Sequence, residues 1–224
     1  MSHVAHTETK DGIRIDIVLD DIGDTDSPLA YNDGAAIIMA VLHCRYENPA
    51  DNLPAIFDSA GNSFDFDSVE GIAHFEAEME AAGDKAEYEV FPLFLYDHSG
   101  TSYRVSRGGN PFSCPWDSGR VGILALKRLV EFPDPFKAAQ SICEEYTSWA
   151  NGEIYGFRLI DNDSEKQLDS CWGFIGEPEG YVLDQARDSA KYYIGQKELA
   201  RVAQLAEDAH TLEESRPDMY GSAR

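Results

Sequence analysis

Basic side chains are scarce in this chain of 224 residues. Only 18 Lys and Arg, seven of them Lys, stand against 41 Asp and Glu, which gives a formal charge of -23. A field of that sign repels phosphate backbones and anionic lipid, so neither direct nucleic-acid binding nor membrane attachment is expected. Apolar runs are short: none reaches the 18 or more residues of a membrane span. The opening "MSHVAHTETKDG" has neither a charged n-region nor an apolar h-region, so a secretory leader is not expected and a cytoplasmic setting is. Cysteine is sparse too. Cys44, Cys114, Cys143 and Cys171 form no C-x-x-C pair, which argues for free thiols over a disulfide framework. Glycine-rich phosphate loops of the G-x-G-x-x-G or G-x-x-x-x-G-K-[ST] type are absent, so no motif names a cofactor, and "SRGGNP" (106–111) reads as turn chemistry. No internal repeat is seen.

What remains is an ordinary globular composition, 43% hydrophobic and 11% aromatic. Its acidity is uneven. Residues 1–100 carry 4 basic and 21 acidic side chains, and residues 101–224 carry 14 and 20. Such a surface attracts basic partners, including those that normally hold DNA or RNA; the plainer reading is bulk acidity that maintains solubility, as in salt-adapted organisms.

The hydrophobic pattern predicts an outer strand at 12–20, where Ile13, Ile15, Ile17 and Leu19 alternate with Arg14, Asp16 and Val18, and a strand buried on both faces within 35–46. Residues 67–82 read as an amphipathic helix opened by an Asp67/Glu70 capping pattern and stopped at Gly83. Its apolar face carries Val69, Ile72, Phe75, Met79 and Ala82. Strands follow at 86–100, at "SYRVS" and at 120–130. The helix "DPFKAAQSICEEYTSWANG" (134–152) has Asp134 as N-cap, Pro135 at its first position and Cys143 on its core face. A hairpin over "EIYGFRLID" and "QLDSCWGFIG" precedes helix formers from Glu179 to about Glu214, with a break expected at Gly195. The order is α+β: a mostly antiparallel sheet with inserted amphipathic helices and a C-terminal helical segment. Three regions are expected: an α+β domain over 1–178 with an acidic N-terminal half, a helical extension over 179–214 and a flexible tail over 215–224.

Two phrases concentrate chemistry, "PFSCPWDSG" (111–119) and "DSCWGFIG" (169–176). A nucleophilic Cys114 or Cys171 needs a base, and His98 in "YDHSG" ends a strand near the first phrase, with Asp97, Asp117 or Asp169 to orient it. The plainer reading makes both cysteines small buried hydrophobes and "PFSCPWDSG" a polar turn that organises a sheet end. "SCWGF" also resembles the "SCWAF" core of papain-type proteases. That match stops there, because His210 alone follows and no Asn does. A metal centre from His98, Cys114 and Cys171, with His43 and Cys44, lacks a close ligand pair, since adjacent strand residues point to opposite faces; no metal is expected.

The ordered string "LFLYDHSG…PFSCPWDSGRVG…IYGFRLID…DSCWGFIG" resembles an uncharacterised family of proteins found in phages and other mobile elements, over roughly residues 35–176. The resemblance implies one shared constellation of His98, Ser99, Gly100, Cys114, Trp116, Asp117, Ser118, Gly119, Asp169, Cys171 and Trp172. Together with the charge asymmetry it leads to the expectation of an acidic protein that binds and inhibits a host or defence protein through that partner's basic surface, as a nucleic-acid mimic. The contact surface would be Asp65, Asp67, Glu70, Glu76, Glu78 and Glu80. The rival expectation is a cysteine/histidine-dependent enzyme acting on a small or nucleotide-like substrate through His98, Cys114, Asp117, Asp169 and Cys171; the third is a purely structural module.

Overall fold

In the computed structural model, residues 3–21, 25–32, 34–43, 45–128 and 132–214 are described. Cys44 and the expected 215–224 tail lie outside the described residues. Among the described residues, eight strands fall into two four-stranded antiparallel sheets, with two inserted α-helices and a long C-terminal one, so the architecture is α+β and dominated by sheet. Among the described residues, no helix is long and apolar enough to cross a membrane.

The chain divides into two units, residues 1–21 with 155–224, and residues 22–154. The physical reason is non-local pairing: β2 (Ile13–Leu19) joins β7 (Ile154–Asp161) antiparallel in an unbroken register from Ile13↔Asp161 to Leu19↔Tyr155. Residues 22–154 are thereby carried, in sequence, as an insertion between two paired strands.

The unit that holds both ends of the described chain has the sheet order β1-β2-β7-β8, with β1 at Val4–Lys10 and β8 at Gln167–Ile175. β2 was expected as an outer strand; it lies inside the sheet because β1 covers it. β1 itself is almost wholly exposed and polar. The C-terminal helix α3 (Tyr181–Glu214) buries Val182, Leu183, Ala186 and Ala190 against Ile13, Ile15, Ile17, Phe157 and Leu159. It runs unbroken through Gly195, where a break was expected. One glycine costs a helix only about 1 kcal/mol, and just beyond it Lys197 Nζ binds Asp161 and Asp163, each at 2.9 Å. The first half of α3 is thus part of the core rather than an extension.

In the unit formed by residues 22–154, the sheet order is β3-β6-β4-β5, all antiparallel: β3 at Ile37–Val41, β4 at Tyr88–Asp97, β5 at Thr101–Val105 and β6 at Ser118–Lys127. Apolar residues on consecutive positions make β6 a strand buried on both faces. Ile123 and Ala125 meet α1 (Val69–Ala82) together with Ile38, Ile72 and Phe75, whereas Leu124 and Leu126 meet α2 (Pro135–Ala150) together with Met39, Ala139, Cys143 and Tyr146. The result is helix, sheet, helix. Gly122 makes the β3–β6 approach possible, since a Cβ there would lie 1.9 Å from the Ala40 carbonyl oxygen. Asp134 caps α2 as expected, accepting from Lys137 N at 3.1 Å. α1 is capped by Ser68, accepting from Gly71 N at 3.0 Å, and not by Asp67. Val69 and Ala82, expected on its core face, are exposed.

Candidate functional site

One end of the residue 22–154 sheet collects most of the chemistry. There β4 ends at Asp97, β5 and β6 begin, and the 106–117 turn is fastened between them by Asp97 N donating to Asp117 O at 2.8 Å. Within the turn, Asn110 Nδ2 donates to Ser118 Oγ (2.9 Å), Ser118 Oγ to Cys114 O (2.5 Å), and Asn110 Oδ1 accepts from Phe112 N (3.0 Å). Phe112 lies 5.7 Å from Tyr96, and the Arg104 guanidinium lies 5.0 Å from its ring centre. These bonds make the turn a braced structure.

Three expected site residues do come together here. Asp117 Oδ2 accepts from Cys114 Sγ at 3.2 Å and faces His98 Nδ1 at 3.5 Å. The carboxylate stands between thiol and imidazole. A nucleophilic relay needs the imidazole in the middle, next to the sulfur, so that it draws the proton away. The observed order therefore serves to brace the turn rather than to activate the sulfur. Trp116, beside Asp117 where the turn runs into β6, is 92% exposed.

Asp169 and Cys171 lie on β8, the edge strand of the other sheet. Asp169 Oδ1 accepts from Ser170 N at 2.8 Å, and Cys171 is exposed. Trp172 lies across Gly156, where a Cβ would come within 2.2 Å of its ring, and stacks with Arg158 at 5.2 Å. The expected constellation is thus distributed over two units.

A cleft of about 440 Å³ is walled by Tyr46, Tyr103, Tyr146 and Trp149. Tyr46 donates to Asp97 Oδ1 at 3.1 Å, and Arg45 pairs with Asp97 Oδ2 at 2.9 Å. Burial raises the phenols of Tyr103 and Tyr146, the latter to about 12, so both remain neutral hydrogen-bonding groups at physiological pH. His43, weighed above as a metal ligand and set aside, stacks on Tyr46 at 5.0 Å.

The six carboxylates expected as a contact surface line α1 and its approach, but four of them also hold the structure. Asp65 accepts from Ser68 Oγ at 2.6 Å and Asp67 from Asn48 Nδ2 at 3.0 Å. Glu76 pairs with Arg120 at 2.5 Å, and Glu78 accepts from Ser59 N at 2.6 Å. Glu70 and Glu80 are exposed. Asp65 is held below the usual carboxylate range by the Ser68 hydroxyl and the Asp67 N–H, whereas burial, and then Asp67 beside it, pushes Asp51 up. Two residues were missed. Asp58 and His74 converge with Glu78; the signal was present in the sequence as a His-x-x-x-Glu pair, one helical turn apart, on a predicted helix.

Comparison with protein-family models, with curated proteins and with solved structures returned no match.

Proposed function

We propose that the protein is an acidic protein-binding module, of the phage and mobile-element type, whose partner is a host or defence protein with a basic, nucleic-acid-binding surface in the host cytoplasm. The observation that carries the reading is Trp116, 92% exposed in a turn whose polar groups are bonded internally. Folding leaves so large an apolar side chain in water at no gain, whereas aromatic anchors dominate binding energies at interfaces. Acidity supplies the long-range part, drawing a basic partner in and rejecting acidic ones. The contact surface is best drawn around Trp116 with Glu70 and Glu80, since Asp65, Asp67, Glu76 and Glu78 have internal duties.

The test is displacement. Host proteins bound to immobilised duplex DNA are challenged with the protein, with Trp116→Ala, and with polyglutamate of matched charge. A mimic with an anchor releases a defined protein that neither control releases at equal concentration. Equal release by polyglutamate reduces the acidity to a solubility device and refutes the proposal.

The rival reading is a small-molecule enzyme, favoured by an aromatic cleft two of whose lining residues, Arg45 and Tyr46, bind Asp97, the residue next to His98. It requires a thiolate at Cys114 or Cys171; the carboxylate between Cys114 and His98 speaks against the first, and the second lies on β8, in the other unit from His98.

A further inference from the structure

Asp58, His74 and Glu78 bring one ligand atom each to within 4.8 Å of one another. The separations are informative. His74 Nε2 lies 3.8 Å from Asp58 Oδ2 and 3.5 Å from Glu78 Oε2, beyond the about 2.7–3.2 Å of an ordinary N–H···O bond. They are ion-pair distances to a protonated imidazole and equally match the spacing of donors around a shared cation: with metal–ligand bonds of about 2.1 Å, neighbouring donors in a tetrahedral site stand about 3.4 Å apart.

The donors are also held in place from behind. Asp58 Oδ1 accepts the N–H groups of Ala60 (2.9 Å) and Asn62 (2.7 Å), and Asn62 Nδ2 steadies Oδ2 at 3.1 Å. This fixes a carboxylate whose side chain is only 6% exposed. Glu78 Oε1 is bound by Ser59 N, which leaves Oε2 for the imidazole side. One face of His74 rests against Phe64, with centroids 5.3 Å apart, yet the side chain is 54% exposed. Each carboxylate thus spends one oxygen on backbone N–H groups and presents the other to the same imidazole nitrogen. Such outer contacts are what fix ligands in metal centres.

We propose that Asp58, His74 and Glu78 form a site for one divalent transition-metal cation, which fastens the 58–62 turn to α1. One imidazole nitrogen with two carboxylate oxygens suits Zn²⁺, Co²⁺ or Mn²⁺ and is poor for Ca²⁺ and Mg²⁺, which favour all-oxygen shells. Three protein donors leave at least one position for water, and the exposed imidazole edge gives the cation its path from solvent. Two carboxylates against one dication bring the local charge to zero, which is a favourable outcome in a chain of -23.

The experiment titrates the full chain, freed of metal with chelator and dialysed, with ZnCl₂ by calorimetry and with CoCl₂ by visible absorption, with CaCl₂ and MgCl₂ for comparison. Saturable one-to-one binding of Zn²⁺, with a cobalt spectrum that reports nitrogen and oxygen ligands, is expected. His74→Ala, on an exposed helix face, should weaken it at least tenfold, and so should Asp58→Asn, while Glu80→Gln leaves it unchanged. Far-ultraviolet circular dichroism checks that each variant is folded; His74→Ala carries the test if Asp58→Asn is not. Absence of saturable Zn²⁺ binding overturns the proposal, as does binding that His74→Ala leaves intact or that Ca²⁺ matches in affinity.

Discussion

Replacing Trp116 by alanine separates a binding anchor from a packing residue, because the same kind of truncation has opposite consequences at exposed and buried sites. A tryptophan offers about 250 Å², and Trp116 keeps 92% of its surface in water. The loss on truncation is therefore about 20 Å², or about 0.5 kcal/mol at about 25 cal/mol per Å². Phe75 is the internal reference: 0% exposed, with ring centres of Phe64, Phe66 and Tyr88 at 4.9, 5.3 and 5.7 Å. Phe75→Ala should cost about 3–5 kcal/mol. At about 4 °C per kcal/mol, calorimetry should put the melting of the 22–154 unit within about 2 °C of wild type for Trp116→Ala and about 12–20 °C lower for Phe75→Ala. Melting of Trp116→Ala lowered by as much as Phe75→Ala means that Trp116 is covered in solution, and the anchor reasoning fails.

Other expectations follow from the same geometry. Iodoacetamide at pH 7 should label Cys171 first, Cys114 more slowly and Cys143 only on unfolding, because burial pushes the Cys143 thiol up to about 12; mass spectrometry reads the order, and Cys114 labelled fastest at pH 6 would revive the enzyme reading. Gly195→Ala should stabilise α3 by up to about 1 kcal/mol, since nothing lies within 4 Å of the added methyl; a loss of helicity on circular dichroism would contradict the continuous helix. Asp161 is held well below the usual carboxylate range by Lys197, with help from the Ser164 and Asp163 N–H groups. Its folded pKa is depressed, so its contribution is complete above about pH 4–5, around and above the unfolded carboxylate value, and is lost as pH falls through the folded one. Urea titrations from pH 6 to 2 should show a shallower acid loss for Asp161→Asn than for wild type, and parallel curves would refute the assignment.

Where hydrophobic period and local capping decide, the fold was legible: β3, β4, β5, β6, α2 and the β7–β8 hairpin stand close to where alternation, Asp134, Pro135 and the turn residues put them. β1 was invisible because its half-buried face carries the polar His6 and Glu8, so no hydrophobic alternation marks it. The pairing of β2 with β7 across more than 130 residues leaves no local trace either, and it joins the two segments of one unit. Gly195 misled because a propensity of about 1 kcal/mol is outweighed by tertiary packing and by the Lys197 pairs. Of the site, His98, Cys114 and Asp117 were found together since one sheet end gathers them, but their order around Asp117 was not readable. Neither the exposure of Trp116 nor the approach of Asp58 to His74 has a sequence signature beyond spacing, because both depend on how turns lie against the sheet and helix.

The most direct measurement is the affinity of the displaced partner across 0.05–0.5 M salt, taken for wild type, Trp116→Ala and the pair Glu70→Gln/Glu80→Gln. Charge attraction is screened within about 8–10 Å at 0.10–0.15 M, so wild-type affinity should fall steeply with salt and the double variant should flatten that slope. Trp116→Ala should lower affinity about 30-fold at every salt, the size of a 2 kcal/mol anchor. An affinity indifferent both to salt and to Trp116 contradicts the account.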